Sequence, residues 1–139
     1  MNIAELAPAV IHSQITLPLY LHSSSAGFES PVEDDDPGID LNQHLIRRPA
    51  STFYARARGE SMRDKGIFDG DLLIVDRSLH PAHGDLVVAA LDGELLCRVL
   101  DLRNSQLLSA DEESPALSLS DSADLRIEGV VVSAIKEFR

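Results

Sequence analysis

Residues 84–100 read Gly84-Asp85-Leu86-Val87-Val88-Ala89-Ala90-Leu91-Asp92-Gly93-Glu94-Leu95-Leu96-Cys97-Arg98-Val99-Leu100. Two apolar runs flank Asp92-Gly93. A two-residue type I′ turn needs positive φ at both central positions, which Asp-Gly supplies, so the stretch predicts a β-hairpin with strands over 86–91 and 94–100. Upstream, Asp71-Leu72-Leu73-Ile74-Val75-Asp76 is a second apolar run, bounded by Gly70. Before it, Phe53-Tyr54-Ala55-Arg56-Ala57-Arg58 alternates, with Phe53, Ala55 and Ala57 on one face and both arginines on the other. Downstream, strands fit residues 106–109 and 127–135. Strands recurring at roughly 10-residue intervals with few helices predict a mainly β domain. One short helix is expected over 39–48, where Asp40 can cap the N-terminus, Arg47-Arg48 suit the C-terminal end, and Pro49 stops it.

The 139-residue chain suits one domain with an extension. Hydrophobic residues make up 44% and aromatics 4%, with no Trp, so the core rests on Val, Leu, Ile and Ala. Charge divides the chain near residue 38. Residues 1–38 carry Glu5, Glu29, Glu33, Asp34, Asp35 and Asp36, no Lys or Arg, four prolines and a triple serine at Ser23-Ser24-Ser25. No helical or strand period persists there, and the segment reads as a flexible acidic arm (1–38) preceding the β domain (39–139). Its apolar groups, among them Ile15, Leu17, Leu19, Tyr20 and Phe28, suit an arm that docks on a surface.

A net charge of −11 argues against a direct grip on DNA, whose non-specific affinity comes from neutralising phosphates. Protein partners remain. No run of about 18 apolar residues exists to span a membrane, and a cytoplasmic location is expected. The single Cys97 can form no internal disulfide and no metal site alone, and the five histidines show no metal spacing. No metal and no cofactor is expected.

A candidate for chemistry is Gly59-Glu60-Ser61-Met62, directly after the 53–58 strand. A serine leaving a strand beside a glycine can be held exposed near backbone N–H groups, a nucleophile and oxyanion arrangement. The wider pattern is more specific. Gly59-x-Ser61-Met62, Ile67, Gly70-Asp71, Val75-Asp76 and Gly84-Asp85-Leu86-Val87, with Ile39-Asp40-Leu41-Asn42-Gln43 ahead of them, resembles the LexA/UmuD-type self-cleaving peptidases of family S24. The likeness runs from about Gly27 to Arg139. It implies a LexA/UmuD C-terminal-type β domain with a Ser–Lys dyad that cuts one bond in its own or a partner's arm, stimulated by RecA filaments on single-stranded DNA. The cut bond in the family joins a small residue to glycine, and Ala26-Gly27 stands at the matching place. Ala26 and Asp40 are fourteen residues apart. Extended, that length reaches up to roughly 46 Å, so the arm can enter its own subunit's site or a dimer partner's.

One departure concerns the base. The position matching the family's lysine is Arg98. A dyad lysine must be neutral to take the serine proton, which burial permits, whereas guanidinium, with a pKa above about 12, stays charged. The chain has only two lysines, Lys65 and Lys136. Lys65 falls where the family has a loop glycine, and Lys136 belongs to the last predicted strand. Cys97, next to Arg98, points to the opposite face of its strand and reads as a core thiol.

The resemblance implies an accessory subunit of an error-prone translesion polymerase in the SOS response, a homodimer that joins a UmuC-type polymerase subunit and meets the RecA filament. Arg98 also supports a second reading: a catalytically impaired regulator or trans-cleavage substrate that forms mixed dimers with an active homologue. A LexA-type repressor would need a DNA-binding domain that an acidic arm with four prolines does not supply, and a signal peptidase would need a membrane anchor.

Overall fold

The computed structural model describes residues 1–11, 16–17, 38–110, 115–120 and 124–139. In chain order its strands are β1 (Asn2–Pro8), β2 (Thr16–Leu17), β3 (Ile39–Asp40), β4 (Thr52–Arg58), β5 (Leu72–Asp76), β6 (Leu86–Leu91), β7 (Glu94–Asp101), β8 (Gln106–Leu108), β9 (Leu117–Ser118) and β10 (Leu125–Ile135). The one α-helix among the described residues is α1 (Leu41–Leu45).

These elements fall into two units. Residues 1–9 and 48–139 form the first, built on a sheet ordered β1-β4-β5-β10-β6-β7-β8-β9. All of its described pairings are antiparallel. A further bridge from Asn2 of β1 to Leu96 of β7 closes the first six strands of that order into a barrel, leaving β8 and β9 as an extension. Closure removes the open edge that a sheet otherwise presents.

The hairpin forms as its turn chemistry requires. Asp92 and Gly93 have φ of 51° and 86°, and β6 and β7 run in register from Leu86↔Val99 to Leu91↔Glu94. Its continuous apolar character has a physical cause, because both faces are covered. Val88 and Cys97, paired across the hairpin, enter a core cluster with Phe53, Ala55, Ala57, Met62, Ile67, Leu73 and Val75. Val87 and Ala89 join Leu100, Leu107 and Val130 in a second cluster on the other side.

The second unit spans residues 10–47. Within it, β2 pairs with β3 through Thr16↔Asp40 and Leu17↔Ile39. Asp40 caps α1, its carboxylate accepting from Asn42 N–H at 3.0 Å. The helix is shorter than the expected 39–48. It ends at Leu45, and Ile46 leaves helical geometry with φ −114° and ψ 87°, so the stop comes before Pro49. Pro49 instead opens a 3₁₀ turn, Pro49–Ser51, that leads into β4.

The larger difference is β1. Residues 2–8 show no strand period, yet they form seven residues of strand in the main sheet. Of residues 1–11 only Met1 and Ala9 are buried. With its middle exposed, the strand leaves little alternation to read, and it is specified by pairing with distant β4 and β7.

Candidate active site

Ser61 is positioned by a chain reversal at the end of β4. Gly59 adopts φ 100°, a region that a side chain disfavours, and its N–H donates to the Asp69 carboxylate at 2.8 Å. The next segment is anchored by Met62, whose side chain is fully buried in the first core cluster. Met62 O accepts from both Lys65 N–H (3.0 Å) and Ile67 N–H (3.2 Å), so the 3₁₀ turn Arg63–Lys65 folds back over it. Ser61 O accepts from Ala110 N–H at 2.8 Å. Ser61 is thus held from both sides of its peptide while its side chain stays half-buried.

The Ser61 hydroxyl oxygen accepts a hydrogen bond from the backbone nitrogen of Met1. Met1 O in turn accepts from Cys97 N–H at 2.8 Å. One residue therefore links the Ser61 side chain to the backbone of β7 immediately before Arg98. The sequence singled out Ser61 and Arg98 but not Met1, for a lone methionine ahead of an irregular segment carries no periodic or motif signal. The partners of Met1 lie about sixty and ninety-six residues away along the chain, a separation that local patterning does not report.

Arg98 stands opposite Val87 in the β6–β7 register, is half-buried, and donates from its guanidinium to Cys97 O at 2.9 Å. Cys97 points the other way, into the first core cluster, as strand alternation predicts. Burial pushes the Cys97 thiol up to about 11, although the positive charges of the Met1 amine and Arg98 pull in the opposite direction. A thiol so held is protonated at neutral pH and is no nucleophile.

The two lysines lie elsewhere. Lys65 is exposed on the 3₁₀ turn. Lys136 follows the end of β10 rather than lying within it, and its Nζ binds both oxygens of Asp71 at 2.9 and 2.8 Å. Among the described residues, no three His, Cys, Asp or Glu side chains converge as a metal site. Also among them, no helix is long and apolar enough to cross a membrane. The expected cleavage site, Ala26-Gly27, lies outside the described residues.

A barrel of antiparallel strands carrying a Gly-x-Ser-Met corner and an S24-type strand pattern defines a class, and comparison with known proteins gives the same class. The family model described as Peptidase S24-like matches residues 18–132, and the chain belongs to that family, the LexA/UmuD-like self-cleaving peptidases. Among its relatives, Protein ImpA of Salmonella typhimurium is 42% identical over 123 residues, covering 88% of this chain and 85% of that protein. Protein SamA of Salmonella typhimurium is 40% identical over 136 residues, covering 96% and 95%. The LexA repressor of Xylella fastidiosa is 36% identical over 118 residues, covering 83% of this chain but 56% of the repressor.

Proposed function

We propose that this chain is a UmuD-like accessory subunit of an error-prone translesion polymerase, active as a homodimer in the SOS response. It joins a UmuC-type subunit, and RecA-stimulated cleavage between Ala26 and Gly27 shortens its arm. In that reaction Ser61 Oγ attacks the Ala26 carbonyl carbon and its proton passes to a base. The C–N bond to Gly27 then breaks as the new amine takes a proton, and water hydrolyses the Ser61 ester. A small side chain at Ala26 and none at Gly27 let that backbone lie close to the nucleophile. The observation supporting this reading is the corner at Gly59-Glu60-Ser61-Met62, whose Ser61 hydroxyl is linked through Met1 to Cys97, the residue before Arg98.

Arg98 favours a second reading for the catalytic half. Its guanidinium can orient a hydrogen bond or an oxyanion but cannot take the Ser61 proton. In that reading the chain keeps its substrate half, and an active homologue in a mixed dimer cuts the arm in trans. Mass spectrometry of the pure protein at alkaline pH distinguishes the two. A 27–139 fragment appearing without any addition identifies a self-cutting enzyme with another base. A fragment appearing only in the Arg98→Lys variant, or only with an active homologue, identifies the impaired form. No fragment under any of these conditions overturns both.

A further inference from the structure

We infer that β1 is the resting occupant of the groove that the scissile segment must enter, so that strand exchange at this groove gates cleavage. The inference rests on the reading of Ser61 as nucleophile. It concerns the first residues of the chain, which that reading leaves without a role.

With Ser61 read as nucleophile and position 98 as the base position, a segment to be cut lies extended between the end of β4, which leads into Ser61, and β7, which carries Arg98. That space is filled. β1 runs antiparallel to β4 from Asn2↔Arg58 to Pro8↔Phe53, and it touches β7 through Asn2↔Leu96. Its first residue covers the nucleophile: Met1 N donates to Ser61 Oγ, Met1 O accepts from Cys97 N–H at 2.8 Å, and the Met1 side chain, 4% exposed, packs in the cluster that holds Met62 and Cys97. Met1 N thus takes up a hydrogen-bonding position on the hydroxyl that would attack, with the Met1 side chain buried in the core.

The middle of the same strand is lightly held by side chains. Between the buried ends Met1 and Ala9, Asn2, Glu5, Leu6 and Pro8 are exposed, Leu6 at 52%. The register is broken by a bulge between Ile3 and Glu5. The ion pair Glu5–Arg56 spans 3.7 Å with Glu5 three-quarters exposed, a geometry that contributes little. The side-chain hold is thus concentrated at Met1, Ile3 and Ala9, and the rest is backbone pairing, which an incoming strand can replace bond for bond. The occupant that displaces β1 is the arm segment around Ala26-Gly27, from the same or a partner chain.

The test locks the strand in the full-length chain. Ala7 and Tyr54 are direct partners across β1 and β4, and such pairs lie within disulfide reach. Native Cys97 is buried and does not compete. In an Arg98→Lys background, the Ala7→Cys/Tyr54→Cys chain should cleave at least tenfold more slowly when oxidised, and reductant should restore the Arg98→Lys rate in the same sample. Equal rates in both redox states overturn the inference while the reading of Ser61 stands. If Arg98→Lys alone does not cleave, the reading of Ser61 falls and the inference falls with it. A second measurement needs no new cysteine: a synthetic peptide of residues 22–31, added in excess to the unmodified chain, should raise amide hydrogen exchange across residues 2–8. Unchanged exchange with the peptide bound overturns the inference.

Discussion

Lys136 clasps Asp71: its Nζ stands 2.9 Å from one carboxylate oxygen and 2.8 Å from the other. The carboxylate is buried and also accepts from Phe68 N–H at 2.9 Å, while the ammonium lies 4.3 Å from the centre of the Phe68 ring. The pair ties the chain after β10 to the loop between Ser61 and β5. It also commits one of the two lysines to structure, which sharpens the absence of a lysine at position 98.

Removing that ammonium strands a buried carboxylate. Breaking a fully buried pair costs about 3–5 kcal/mol. The Lys136 side chain is 37% exposed, so solvent screens part of the interaction. We expect Lys136→Met to cost about 1–2 kcal/mol. Urea denaturation should show a lower midpoint with an unchanged slope, the mark of lost stability without a change in the denatured state.

Acid should weaken the fold through two carboxylates. Burial raises the pKa of Asp76, but hydrogen bonds from the Ser78 side chain and backbone, Arg48 and Ser51 outweigh it and bring Asp76 down from 3.8 to about 2. Asp101 is likewise lowered to about 2, chiefly by the Asn104 and Gln106 side chains. A carboxylate with a depressed folded pKa contributes stability that is complete above its unfolded value and is lost as pH falls through the folded one. Urea midpoints should therefore decline from about pH 4 toward pH 2. Asp76→Asn should flatten that decline, and an unaltered pH profile in the variant would refute the assignment.

The buried thiol should be silent. Cys97 has no exposed surface and its pKa is pushed up to about 11 by burial. At pH 8 a thiol reagent such as iodoacetamide should leave the native chain unlabelled and modify it fully in denaturing urea. Rapid labelling of the native protein would show that this part of the barrel opens readily.

The amino-acid sequence determined the β domain, the Asp92-Gly93 hairpin, the Asp40 cap and the position of Ser61, because each rests on a local rule. Strand alternation, turn φ, capping and a residue motif all act within a few positions along the chain. The same locality explains why Cys97 was legible as a core thiol. Only tertiary structure decided what stands at Ser61. The bonds from Met1 to Ser61 and from Cys97 to Met1 join residues that no sequence period connects, and β1 is a strand because β4 and β7 offer it backbone partners, not because its own side chains alternate. The extent of α1 was likewise set beyond local preference, ending at Leu45 although Arg47, Arg48 and Pro49 mark a later stop. Local patterns are read from neighbours, whereas a site is assembled from residues brought together by folding, and here the folding brought Met1 onto Ser61.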